Sequence, residues 1–133
     1  GKIGRGYNVL LGVFPDDTKK DAEILAAKIA KLRIFEDEQE KMNLSILDVN
    51  GEVLAISQFT LCADIKKGNR PSFTTAAKPD YANELYEYFM EQLKANGIKK
   101  VEHGSFGADM QVEIHNDGPV TIIMDTTIWN KRD

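Results

Sequence analysis

Cysteine, histidine and long apolar runs are all scarce in this chain of 133 residues, and each shortage removes a class of function. Cys62 is the single cysteine, so no internal disulfide and no cysteine zinc cluster can form, which suits a reducing, cytosolic compartment. The two histidines, His103 and His115, have no spacing that would make a metal site or a serine triad, and each reads better as a solvated surface residue. Apolar runs such as Val9 to Val13 fall far short of the ~20 residues needed to cross a bilayer. The opening Gly1-Lys2-Ile3-Gly4-Arg5-Gly6 has no apolar signal-peptide core, and without a Met start it reads as a fragment or a processed chain. A basic excess is missing too. Lys and Arg number 17 against 21 Asp and Glu, a net charge of −4 that excludes a generally basic coat for nucleic acid but leaves room for a local basic patch. Phosphate-binding glycine loops, a nucleophile elbow and a zinc-protease helix are also absent.

What remains is an ordinary globular composition, 42% hydrophobic and 29% charged, on a length suited to one domain over residues 1–133. Tyr7 to Val13 is an apolar run of strand length that reads as buried on both faces, broken by Phe14-Pro15-Asp16-Asp17. Thr18 with Asp21 gives a capping box, and Ala22, Leu25, Ala26, Ile29 and Leu32 recur at helical spacing, predicting a helix over 18–33. Residues 36–41 read as a charged loop. Leu44 to Asp48 and Glu52 to Ser57 flank Asn50-Gly51, the signature of a hairpin turn. Pro79-Asp80 opens a second helix, with Ala82, Leu85, Tyr86, Phe89 and Leu93 inward and Asn96-Gly97 as its stop. Met110, Val112 and Ile114 alternate with polar residues as in a half-buried strand, and Val120 to Met124 returns as another. The interleaving predicts an α/β or α+β domain, with a mixed sheet or partial β-barrel and two packed helices.

Three segments carry candidate chemistry. Ser57-Gln58-Phe59-Thr60-Leu61 places hydroxyls and an amide where a buried strand leaves its sheet, and such a strand end can aim unpaired N–H groups at an oxyanion. Thr60 could position a water or act as nucleophile, though a hydroxyl without a base is weak, and the plain alternative is a packing strand. Lys66-Lys67-Gly68-Asn69-Arg70 gathers positive charge in an acidic chain beside Phe73, as phosphate and base contacts require, or it is a solvated loop. Asn116-Asp117-Gly118-Pro119-Val120-Thr121 is first a turn. Its Gly-Pro bond is also the usual setting for a cis peptide, whose carbonyls would accept from a substrate ammonium.

Taken together, Ser57-Gln58-Phe59-Thr60-Leu61 and Asn116-Asp117-Gly118-Pro119-Val120-Thr121 resemble the two signature motifs of the D-aminoacyl-tRNA deacylases. Lys67 to Phe73, Ala76-Ala77-Lys78-Pro79 and Gly104 to Met110 resemble the same family in order and spacing, so the likeness runs from about Ile3 to Asp125. Family members usually begin with further residues that supply an N-terminal strand and hairpin, and their lack here would leave a sheet edge bare.

The resemblance implies a cytoplasmic homodimer of barrel-like subunits with active sites at the interface. It implies hydrolysis of the ester joining a D-amino acid, or glycine mischarged on tRNA-Ala, to the terminal adenosine of tRNA. In that reading Gly118 and Pro119 form a cis dipeptide that enters the partner's site, captures the α-amino group and excludes an L side chain. Ser57, Gln58, Phe59 and Thr60 face the ester, with backbone N–H groups near Phe59 and Thr60 holding the oxyanion and the ribose 2′-hydroxyl helping to activate water. Phe106, Gly107, Met110 and Asn116 line the adenosine pocket, and Lys66, Lys67 and Arg70 reach acceptor-stem phosphates. No cofactor, metal, membrane or DNA is expected. A related deacylase clearing an L-amino acid, and a non-catalytic RNA-binding module, stand as alternatives.

Overall fold

The computed structural model describes residues 1–129. Strand β1 (Gly6–Leu11) leads into helix α1 (Lys19–Lys31), the strands β2 (Arg33–Glu36) and β3 (Met42–Ser45), and then β4 (Glu52–Ser57). A 3-10 turn over Phe59–Cys62, helix α2 (Pro79–Ala95), strand β5 (Val101–His103) and a second 3-10 turn at Thr126–Ile128 complete the order. Strands β1, β4 and β5 form a three-stranded sheet with β4 in the centre and both pairings parallel. Parallel neighbours need a crossover; α1 with the β2–β3 ribbon supplies the first and α2 the second.

One sheet face carries Tyr7, Val9, Leu11, Val53, Ala55 and Val101, every second residue of each strand, and the two helices cover it. Ala26, Val53, Ala55, Phe89 and Leu93 are essentially solvent-free at the centre. At its entry α1 has the predicted capping box, the Asp21 carboxylate accepting from the Thr18 N–H at 2.8 Å. Pro79 in the first turn of α2 and Gly97 just past its end, at φ 105°, bound the second helix where the sequence places them. Helix α1 stops at Lys31, before the predicted 33, because Leu32 turns extended and Arg33 enters β2.

Three expectations are corrected. The strand at Tyr7 is not buried on both faces: β1 is an edge strand, and Leu10 is 40% exposed. Asn50-Gly51 does not make a hairpin. Asn50 does take a positive φ of 53°, but the chain coils through 45–51, where the Asp48 carboxylate accepts from the Ser45 N–H at 2.8 Å and the Gly51 N–H reaches the Ile46 carbonyl at 2.9 Å. That coil sends β4 to β1 instead of β3. A Cβ on Gly51 would press to 2.7 Å from Cγ1 of the buried Ile46, so the residue is a glycine for close approach. The hairpin is β2–β3, across the stretch read as a plain loop. Asp37 ties that turn, and bonds from the Lys41 and Gln39 N–H groups hold its carboxyl below the usual range.

The strands expected at 110–114 and 120–124 are absent, and the described residues close no barrel. A period-two pattern selects residues fit for a half-covered face, but a strand exists only where a neighbour satisfies its N–H and C=O groups. Among the described residues none does so for 104–125, and Ile114, Ile122 and Ile123 stand 52%, 51% and 91% exposed.

Candidate active site

The Ser57–Thr60 segment is built by the end of the central strand. The β1–β4 ladder closes at Leu11 with Ser57, and the Gln58 N–H adds a bond of 2.8 Å to the Leu11 carbonyl. The chain then winds into the 3-10 turn Phe59–Cys62, whose first bonds run from the Leu61 N–H to Gln58 and from the Ala63 N–H to Thr60. The Phe59 and Thr60 N–H groups, at the start of this turn, have no acceptor within it. Gln58 Nε2 donates to Thr60 Oγ1 at 3.1 Å, so the two side chains position each other. Phe59 and Thr60 are exposed.

Buried Cys62 anchors the turn from behind, its thiol 3.5 Å from the Val13 carbonyl. Gly12 lets the two elements meet, since a Cβ there would lie 3.0 Å from Leu61 Cβ and 3.1 Å from the Cys62 sulfur. Burial, and then the nearby Asp17 charge, push the Cys62 thiol up in pKa, so it is an inert anchor and not a nucleophile.

The basic loop is fastened to the same turn. Asp64 and Ser72 exchange backbone bonds of 2.7 and 2.9 Å, closing residues 65–71 into a loop on which Lys66, Lys67 and Arg70 are all exposed. Gly68 turns its tip at φ 66°. At the foot, Phe73 meets Phe59 edge-on with ring centroids 4.9 Å apart, and Thr75 Oγ1 donates to the Cys62 carbonyl at 2.6 Å. The structure therefore brings the Ser57–Thr60 segment and the basic loop together.

Residues 104–110 leave the sheet at the end of β5, on the other side of β4. Phe106 lies against the Tyr86 ring of α2, centroids 6.2 Å apart. Met110 folds back so closely over Gly104 and Ile56 that a Cβ on Gly104 would collide with its sulfur. Gly107 takes φ 76° with open space around it. Tyr86 is buried, and its hydroxyl donates to the Ala55 carbonyl at 2.6 Å. Burial raises its pKa, while a bond from the Gly104 N–H works against that rise. Sequence reading placed Tyr86 with the core residues of α2 and missed this role. The available signal was a phenol on an otherwise hydrocarbon stripe, because a buried tyrosine hydroxyl must find a partner.

The 116–121 turn stands apart. Asn116 accepts from the Val120 N–H and donates to Thr121 Oγ1, both at 3.1 Å, so both ends of its amide serve the turn itself. The Gly118–Pro119 bond is cis, Gly118 sits at φ 114°, and both residues are exposed. No hydrogen bond among the described residues joins this turn to Ser57–Thr60. The histidines take no part in either segment: His103 ends β5 with Nδ1 2.6 Å from the Gly104 carbonyl, and both are exposed. Among the described residues, no group of His, Cys, Asp and Glu could hold a metal ion, and no helix is long and apolar enough to cross a membrane.

The family model described as D-Tyr-tRNA(Tyr) deacylase matches residues 1–125. A D-aminoacyl-tRNA deacylase from Koribacter versatilis is 61% identical over 126 residues, which cover 95% of this chain and 84% of the relative. Another from Bacillus licheniformis is 59% identical, covering 95% and 85%. Among solved structures, a c-Myc DNA Unwinding Element Binding Protein superposes with a TM-score of 0.83 at 48% identity, over 90% of this chain and 81% of that one.

Proposed function

The chain belongs to the D-Tyr-tRNA(Tyr) deacylase family, and from that premise we propose how its exposed backbone performs and restricts the reaction. The activity is hydrolysis of the ester between a D-amino acid and tRNA. Water attacks the ester carbonyl carbon, the carbonyl oxygen becomes an oxyanion, and the bond to the ribose oxygen then breaks. The ribose oxygen takes the proton, leaving free D-amino acid and uncharged tRNA.

In this reading the Phe59 and Thr60 N–H groups hold the oxyanion, with Ser57 and Gln58 shaping the ester's seat. The observation that carries the reading is the exposed turn at the end of the central strand, with two N–H groups unclaimed within it and, among the described residues, no acid–base side chain bonded to it. Lacking such a base, the site uses the ribose 2′-hydroxyl of the substrate to orient the water and, as the oxyanion forms, to take its proton while passing its own to the leaving ribose oxygen. Preorganised backbone donors suit that chemistry, because they stabilise charge that develops only in the transition state.

Phe106, Gly107 and Met110 receive the terminal adenosine, while Asn116 shapes the turn that carries Gly118 and Pro119. The exposed Lys66, Lys67 and Arg70 meet acceptor-stem phosphates, and their tie to Phe59 through Phe73 supports that placement. Gly118 and Pro119 present main-chain oxygens to the α-amino group and leave no room for an L side chain, so glycyl-tRNA passes and L-aminoacyl-tRNA does not. They act on the site of a second copy. Support for a homodimer comes from the apolar residues left uncovered at Leu61, Ile65, Ile114 and Ile122. Residues 1–133 act as a single deacylase domain of the cytoplasm, with aminoacyl-tRNA and not DNA as the nucleic-acid partner.

Purified protein given D-tyrosyl-tRNA and L-tyrosyl-tRNA tests this reading. Release of tyrosine from the D ester alone is expected. Equal release from both would favour the L-editing alternative, and release from neither would favour a non-catalytic RNA-binding module.

A further inference from the structure

The sheet forks where the candidate site begins. Strands β4 and β5 run side by side up to Ala55 and His103, and then part. Strand β4 goes on through Ile56 to Ser57–Thr60, while β5 gives way to the Gly104–Met110 loop. At the fork stands one side chain from a third element. The buried Tyr86 of α2 donates its hydroxyl to the Ala55 carbonyl at 2.6 Å. The Tyr86 ring meanwhile supports the ring of Phe106, two residues along the departing loop.

We propose that Tyr86 is a positioning residue for the deacylation, fixing the separation between the Ser57–Thr60 turn and the Phe106 wall by holding both prongs of the fork to α2. This rests on the reading of Phe106 as part of the substrate pocket. The physical reason is the combination of groups. A hydroxyl bonded to the central strand fixes where its own ring stands to within a hydrogen bond's tolerance. The ring then transfers that setting to the loop. Tyr86 does not touch substrate, so its effect appears in how well the pocket holds the adenosine end.

The test compares Tyr86→Phe, Phe106→Leu, the double variant, and Phe89→Leu as a control that loosens the core of the same helix away from the fork. Tyr86→Phe keeps the ring and deletes the hydroxyl bond to the Ala55 carbonyl. It is expected to lower kcat/KM on D-tyrosyl-tRNA about three- to tenfold, mainly through a higher KM. Phe89→Leu is expected to lower the melting temperature by at least as much as Tyr86→Phe while leaving KM unchanged. Coupling is the sharper readout: the double variant should be no worse than Phe106→Leu alone. If the two losses simply multiply, or if folded Tyr86→Phe keeps the parent KM, the proposal is overturned and the pocket reading survives. If Phe106→Leu itself leaves KM unchanged, the pocket reading fails and takes this inference with it.

Discussion

Two tyrosines show what a buried hydroxyl does with and without a partner. Tyr86 has its partners, but the Tyr7 hydroxyl is buried with none among the described residues, and burial raises its pKa to about 12. An unpaired buried hydroxyl costs its desolvation and gains nothing back. Tyr7→Phe is therefore expected to leave the melting temperature unchanged or raise it, by up to about 1 kcal/mol of stability in calorimetry. The pH dependence has a definite sign. The folded-state pKa lies above the unfolded value, so the neutral phenol's contribution is complete below pH ~10 and declines as pH rises towards 12. Tyr7→Phe should remove that part of the alkaline loss; an identical alkaline profile in the variant would assign it to other groups. At Thr60 the expectation follows from backbone catalysis. Thr60→Ala loses a side-chain bond to Gln58 but no N–H group, so kcat on D-tyrosyl-tRNA should fall about tenfold or less. Complete loss, or a trapped acyl-enzyme in the unaltered protein, would restore a covalent mechanism through the hydroxyl.

Among the elements, the helices were the most legible in the sequence. A capping box, an apolar stripe, Pro79 and Gly97 are local signals, and local physics decides them. Gly97→Ala is expected to cost about 1 kcal/mol, because the position needs φ 105° and an added Cβ would lie 3.3 Å from Leu47 Cδ2; a shift in the urea midpoint at constant slope measures it. Strand partners were not legible. Asn50 uses the left-handed conformation its Asn-Gly pair advertises, yet the pair says nothing of which strand β4 will join. The register with β1 is set by burying Val53 and Ala55 under the helices. For the same reason the alternation at Met110 to Ile114 did not become a strand in this structure. The site was legible in part. The 57–60 turn, the basic loop and the Gly118–Pro119 turn are local motifs, while the Phe59–Phe73 contact and the fork at Tyr86 join residues far apart in sequence. The basic loop carries its own prediction. Neutralising Lys66, Lys67 and Arg70 together should weaken tRNA binding and make its salt slope shallower by ~0.7–0.9 for each phosphate left without its cation. An unaltered slope would place the phosphates elsewhere.

At the scale of the whole molecule, the net charge is −4, and the proposed contact with tRNA falls to the exposed Lys66, Lys67 and Arg70 on one loop. One sheet face is sealed by two helices, while the segment beyond β5 leaves Ile114, Ile122 and Ile123 uncovered. Covering such apolar area drives association, so light scattering should return the mass of a dimer at micromolar concentration. A monomer at every concentration would leave the Gly118–Pro119 turn without a second site to enter. That turn is where the mechanism is most open to test. Gly118→Val puts a β-branched residue at φ 114°, where its Cβ would lie 2.9 Å from Val120 Cγ2, and so displaces the main-chain oxygens while leaving Ser57–Thr60 untouched. The decisive measurement is the ratio of deacylation rates on D-tyrosyl-tRNA and L-tyrosyl-tRNA for the unaltered protein and this variant, both confirmed as folded. The ratio is expected to be large in the first and to collapse in the second; an unchanged ratio would contradict the claim that main-chain oxygens of this turn judge the handedness of the substrate.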